Sequence, residues 1–373
     1  MKGGTRVAIW LALFVALPPA RALAINFSIG GSGALDARVF IGAHTQKVAQ
    51  PSSIGIDTLS LELAQKLIVD VTKNVNVNVK VCYGCHSVEV DQAYAEVQLR
   101  DWFSLRAGRI NVPLGEFNVR HDPANYTTPS KPLPFAMGDM LYYRPNEFNL
   151  GVVPTPYSDN GAELFGSFWI GHKALFDYAA YVVRGFVGTN DLNWVDSRQW
   201  IANKQAPAVG GRAVLSVGPL SIGGSVSWGY YDPNQRLTYL IYGGELFAHW
   251  RSLVLRAEFI ARQTDYDRNA GPYLFAQAPP YYFVKAGYYA QLDWTPLEWL
   301  TLIGRIDGLF RLGMPLPNTV ITEDATEILR GTVAVAVRFA AVLMIKADYE
   351  YWSFFNVPFE NQHVVRAQLV FTY

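Results

Sequence analysis

Short segments in which every second residue is apolar, with charge confined to the residues between, recur along this chain and constrain its fold more than any other feature. Ile345, Ala347, Tyr349 and Tyr351 alternate with Lys346, Asp348 and Glu350, and Leu253, Leu255, Ala257 and Phe259 with Arg256 and Glu258. Val75, Val77, Val79 and Val81 alternate in the same way with Asn76, Asn78 and Lys80. A period of two is the period of a β-strand, so one face of each segment is apolar and the other wet. Half of the residues are hydrophobic and 14% are aromatic, yet beyond the N-terminus no run is long and apolar enough to cross a bilayer as a helix. The apolar residues are spread over strand faces instead, which makes the chain all-β.

Alternation alone does not separate a sandwich with its apolar face inside from a barrel with its apolar face outside. The connections do. Short ones fall near 72–74, 100–102, 171–173, 217–219, 249–252, 295–298 and 339–341, and mostly longer ones at 46–56, 112–159, 187–208, 231–237, 266–282, 311–330 and 356–362. Short turns at one rim and long loops at the other mark a transmembrane antiparallel β-barrel. Sixteen strands are predicted: 25–45, 57–71, 75–83, 86–99, 103–111, 160–170, 175–186 and 209–217, then 220–230, 238–249, 253–265, 283–294, 299–310, 331–339, 344–355 and 363–373. A barrel of roughly this size encloses water rather than a core. Parity then points Lys80, Glu89, Asp91, Arg106, Arg256, Glu258, Arg262, Arg305, Asp307, Lys346, Asp348 and Arg366 into the lumen, as candidate pore-lining residues. The alternation breaks at Gln92, where a β-bulge is expected. Trp102, Phe103, Trp250, Trp294, Trp299 and the stretch 281–283 cluster near strand ends, where aromatic girdles belong.

The two ends of the chain supply a compartment. Lys2 and Arg6 precede the apolar run Val7 to Leu17, prolines follow at 18 and 19, and Ala22-Leu23-Ala24 offers a small-residue cleavage site. Residues 1–24 therefore read as a secretory signal peptide and 25–373 as the barrel. The last strand, His363 to Tyr373, resembles the C-terminal signal by which the assembly machinery of Gram-negative outer membranes recognises barrels. Outer-membrane lipid and that machinery are the partners this implies. Lys plus Arg and Asp plus Glu number 31 each, so no basic excess indicates nucleic acid.

Residues 112–159 hold eight prolines and form a connection far longer than a structureless loop usually is. The reading favoured here folds it into the barrel as a constriction, where Arg120, His121, Asp122, Lys131, Asp139 and Arg144 would set a field across the path. The alternative is an extracellular cap whose charges are merely solvated. Just before it, Leu105-Arg-Ala-Gly-Arg-Ile-Asn-Val-Pro-Leu-Gly-Glu-Phe117 resembles the corresponding stretch of the phosphate-selective porin O and P family. That resemblance implies a passive outer-membrane channel, and likeness to porins at large implies a homotrimer. Phosphate selectivity in the family depends on lumenal arginines and lysines. Here carboxylates share the lumen by the same parity, so a channel for small hydrophilic solutes or ions is expected, not a phosphate pore.

Both cysteines lie in Cys82-Tyr-Gly-Cys-His86, the pattern of c-type haem attachment, in which two thiols take the vinyl groups and His86 would ligate the iron. The same spacing also suits a disulfide between Cys82 and Cys85 across a tight turn at Gly84, in a compartment that preserves it. The expectation is a channel without a cofactor. A barrel with one covalently bound haem c, acting in electron transfer with partner cytochromes, is the alternative. No serine-histidine-carboxylate or paired-acid arrangement stands out, so no enzymatic activity is expected.

Overall fold

The structure is a computed structural model that describes residues 25–41, 54–84, 88–136, 151–188, 191–193, 197, 206–266, 282–313, 325–356 and 361–373. The expected signal peptide 1–24, Cys85, His86, Asp139 and Arg144 lie outside the described residues. The strands are β1 Asn26–Ile41, β2 Ile54–Thr72, β3 Val75–Tyr83, β4 Val88–Arg100, β5 Phe103–Asn111, β6 Ser158–Ile170, β7 Ala174–Val183 and β8 Ala208–Val217. They continue as β9 Leu220–Tyr230, β10 Thr238–Trp250, β11 Leu253–Asp265, β12 Tyr282–Leu297, β13 Leu300–Leu312, β14 Ala325–Ala340, β15 Leu343–Phe355 and β16 Gln362–Thr372. Each pairs antiparallel with its neighbours in sequence, and β1 pairs with β16, so the sheet closes into a sixteen-strand barrel. Closure leaves no edge strand to present unpaired backbone groups to lipid.

The seam between β1 and β16 runs in register from Ser32 opposite Thr372 to Ile41 opposite His363. Gly31 and Tyr373 exchange backbone hydrogen bonds of 3.1 Å in both directions. Gly31 and Gly33 share the outward face of β1 with Phe27 and Ile29, and the rings of Tyr373 and Phe371 lie over them. A Cβ at Gly31 would stand 2.6 Å from the Tyr373 hydroxyl, and one at Gly33 2.6 Å from Cε1 of Phe371. Two small residues on one strand thus make room for two aromatic ones on the next.

Apolar side chains such as Leu105, Leu164, Ile222, Leu292, Ile306 and Val333 are exposed on the outer wall, the face that lipid would cover. At the turn rim they give way to exposed Trp102, Trp169, Trp250, Trp294, Trp299 and Tyr373, and at the loop rim to Tyr83, Trp228, Tyr242 and Tyr282. Indole and phenol rings, apolar in body and polar at the tip, suit the two interfaces.

Three departures from simple alternation have local causes. Lys80 pairs with Gln92 while Val81 pairs with Val90, so Asp91 is the extra residue of a bulge in β4. β14 begins at Ala325 rather than near 331, because Glu327 carries charge on the outward face of a strand that continues above the apolar band. β7 ends at Val183 rather than near 186. Arg184 turns there toward Asp159, 3.5 Å away, and Gly185, with φ of 78°, donates its N–H to Asp159 at 2.6 Å.

Candidate functional site

The main cluster of buried apolar residues is inside the barrel, where the long connection between β5 and β6 meets the wall. Val112, Leu114, Phe117, Leu133, Phe135, Val152 and Val153 are buried against Ile260, Tyr289, Leu309 and Ile328 of the wall. This loop crosses the lumen. Its two ends are tied together by Asn118, whose amide donates to the Val112 carbonyl at 2.8 Å and accepts the Tyr157 N–H at 2.8 Å. Phe117 stacks among Phe135, Tyr126 and Tyr289, with ring centroids 5.3, 5.4 and 6.4 Å away. Pro134 seats against β12 because Gly287 has no side chain; a Cβ there would lie 2.8 Å from the proline ring.

An irregular, proline-rich backbone sealed against a wall has carbonyls and N–H groups that need partners. The wall charges supply them. Arg305 donates to Thr128 Oγ1 at 2.7 Å, to the Ser130 carbonyl at 2.9 Å and to Ser130 Oγ at 2.6 Å. Asp348 accepts from Ser130 Oγ at 2.8 Å and from its N–H at 3.3 Å. Arg330 reaches the Lys131 carbonyl at 2.6 Å, and Lys346 the Pro123 carbonyl at 2.5 Å. On the other side of the loop, Glu258 accepts the N–H groups of Glu116 and Phe117, both at 3.2 Å. Gly115, at φ of 76°, lets the chain pass so close that a side chain there would overlap the Glu258 carboxylate.

Parity gives the face on which a side chain lies and says nothing about what covers it. Arg262, Arg305, Asp307, Lys346, Asp348 and Arg366 point inward, as do Glu258 and Asp91, but all are buried. Several neutralise one another: Arg305 lies 2.8 Å from Asp307, Arg330 2.7 Å from Asp307 and 3.1 Å from Glu350, and Arg366 3.4 Å from Glu350. Glu89 pairs with Arg109 at 3.0 Å and Arg256 with Asp293 at 2.7 Å. Arg262 and Lys285 grip Asp191, from the connection between β7 and β8, at 3.0 and 2.7 Å. Burial alone would raise the Asp191 pKa, but these two cations outweigh it and hold the carboxyl below its ordinary value.

Where the loop leaves the wall of β2 to β8 uncovered there is a cavity of ≈ 470 Å³. Lys66, Lys80, Arg106 and Arg212 line it, with Asp122, Glu163, Asp177, Asn125, Phe165 and Tyr178. Arg106 forks onto Glu163 at 2.7 and 2.8 Å while lying over the rings of Phe165 and Tyr94, 4.7 and 5.5 Å from their centres. Arg212 pairs with Glu245. At the edge of the cavity Lys80 contacts Asp91 at 2.9 Å and also Asp122, and the ring of His121 sits among the three. Arg120 pairs with Glu116 one turn away and donates to the Asn125 carbonyl at 2.7 Å; Lys131 meets the wall through its backbone.

Of the strand residues put forward from parity, Lys80 and Arg106 line this cavity. Lys66, Glu163, Asp177 and Arg212 line it too and were passed over, although they sit at inward positions of their strands. Arg330 falls in the connection expected at 311–330 and instead belongs to β14. Among the described residues no group of three or more His, Cys, Asp or Glu is arranged to hold a metal ion. Cys82, at the tip of β3, is disulfide-bonded.

No protein-family model matches the chain. A curated but uncharacterized protein of Aquifex aeolicus is 29% identical over 96 residues, 26% of this chain and 18% of that protein, so the match spans less than a fifth of its relative. Among solved structures, the anion-selective porin of Comamonas acidovorans superposes with a TM-score of 0.59 at 8% identity, covering 94% of this chain and 100% of its own. The trimer form of in-vitro folded OmpT, an outer membrane protein of Vibrio cholerae, superposes with a TM-score of 0.55 at 7% identity, with 94% and 100% covered. At such identities the likeness is one of fold: this is a closed barrel of the outer-membrane type.

Proposed function

We propose that this chain is an outer-membrane porin of a Gram-negative bacterium, a water-filled channel for the passive diffusion of small hydrophilic solutes or ions. The observation that carries this reading is the loop between β5 and β6, fastened inside a barrel with an apolar outer wall, beside a cavity lined by charges of both signs. A sixteen-strand barrel is wide enough for water, and a loop anchored across it sets the width of the path. Because Glu163, Asp122 and Asp177 share the cavity with the four cations, modest ion selectivity fits better than strict selection of phosphate. Insertion through the β16 seam by the barrel-assembly machinery, and assembly as a homotrimer, belong to the same proposal. The second is supported by the trimeric form of a barrel with the same fold.

Planar-bilayer recording on refolded protein should show stepwise conductance. Replacing 116–135 with a short glycine-serine linker should raise the unit conductance severalfold. A wild-type barrel that inserts but stays silent would sink the proposal, and unchanged conductance without the loop would remove the constriction from it.

A further inference from the structure

Most of the charges that line the cavity are spent on one another or on the wall. Lys80 meets Asp91 at 2.9 Å and also Asp122, Arg106 forks onto Glu163 at 2.7 and 2.8 Å, and Arg212 pairs with Glu245. Lys66 of β2 and Asp177 of β7 line the same cavity, and among the described residues neither has an ion pair. Asp177 accepts a hydrogen bond from Ser167 Oγ, which orients the carboxylate and leaves its charge in place. The strand pairing gives the reason. Lys66 stands opposite Gly30 on one side and Lys80 on the other, and Asp177 opposite Ser167 and Val214, so neither finds a countercharge across the ladder. Like charges directly opposed across a sheet are unfavourable, and the barrel gains no ion pair by keeping an ammonium at 66.

Two amides share the cavity with these charges. Gln92, opposite Lys80 on β4, and Asn125 of the loop both line it, and among the described residues neither side chain has a hydrogen-bond partner. An amide donates to a carbonyl or carboxylate and accepts from an N–H. The two uncompensated charges are opposite in sign, so a solute satisfies both only by bringing a carboxylate to Lys66 and an ammonium to Asp177. A singly charged solute leaves one of them without a partner. We infer that the cavity is a binding site for small zwitterions, with short peptides bearing free termini as the class that fits. Such a peptide carries its two charges at its ends and, between them, the main-chain N–H and carbonyl groups that Gln92 and Asn125 can engage. This rests on the channel reading above and names the solute class of that same path.

The test uses di-, tri- and tetraglycine, roughly 7 to 14 Å long when extended, each with free termini, with an acetylated N-terminus or with an amidated C-terminus. Binding is read at pH 7 from the fall in single-channel conductance of the wild-type protein as peptide is added. One charge contact at about 4 Å in water corresponds to a roughly fivefold change in affinity. For at least one length the free peptide should bind tighter by about that factor than its acetylated form, which lacks the ammonium for Asp177, and than its amidated form, which lacks the carboxylate for Lys66. Lys66→Gln should abolish the difference between the free and amidated forms and keep that between the free and acetylated ones, and Asp177→Asn should do the reverse. Lys66→Arg should keep both differences. A conducting wild type that binds free and blocked peptides alike at every length overturns the assignment while leaving the channel intact. So does a preference that survives in both Lys66→Gln and Asp177→Asn. A silent wild-type barrel ends both readings together.

Discussion

Arg305→Met removes the guanidinium that holds the 127–131 segment to the wall and keeps an unbranched apolar stem. Three donated hydrogen bonds are lost, at 2.6, 2.7 and 2.9 Å, to Thr128 and Ser130. Asp307 keeps Arg330 at 2.7 Å, so no buried carboxylate is stranded. Bonds from a charged donor contribute about 1.5–3 kcal/mol each. Relief of the arginine's desolvation returns part of that, and a net loss of about 3 kcal/mol is reasonable for a buried charged group removed from its partners. The loop keeps its other anchors, Asp348, Arg330 and Lys346, and so does not leave the lumen. Any conformer lacking the Arg305 contacts nevertheless becomes roughly 150-fold more populated. A displaced state too rare to see in the wild type should then appear in single-channel records as brief excursions to higher conductance. Arg305→Lys separates geometry from charge, because an ammonium cannot reproduce the three-point grip; it should show the same excursions. Quiet records from both variants, at wild-type conductance, would refute the idea that wall charges position the loop.

The row of Arg262, Lys285 and Arg311, directly opposite one another on β11, β12 and β13, should lose its hold on the β7–β8 connection when Asp191 is replaced by asparagine. The expected result is faster proteolysis of that connection in Asp191→Asn than in the wild type at pH 7. Because the folded pKa of Asp191 lies below its unfolded value, its stabilising contribution is full above about pH 4 and is lost only as pH falls through the depressed value. The wild type should therefore resist the protease equally at pH 7 and pH 5. Gly33→Val, which pushes a side chain into the Phe371 ring at the seam, should cost about 1–3 kcal/mol by overpacking, read as a lower temperature for loss of the compact band in a gel-shift unfolding assay. A channel without a cofactor should show no Soret band in the purified native protein; a Soret band with the mass of one haem would favour the electron-transfer reading instead.

Much of the barrel was legible in the residues because each strand writes its own two faces. The expected bounds of 75–83, 103–111, 220–230 and 253–265 are those observed, and the bulge lies beside Gln92 at Asp91. Alternation is a local property, enforced residue by residue by lipid on one side and a polar lumen on the other. It fails where lipid ends, as at Glu327, whose outward charge belongs to a strand already above the apolar band.

The candidate site was legible only as far as parity reaches. Arg305, Asp348 and Lys346 were visible as inward charges, but nothing local says that a loop 175 to 223 residues away in sequence would cover them. Nor does local sequence say that Lys66 and Arg212 would remain beside water. The amino-acid sequence by itself determined the strands, their faces, their number and the loop too rich in proline to be ordinary. Only the tertiary structure decided which charges that loop consumes as hydrogen-bond partners for its own backbone, and therefore which few are left to line the cavity.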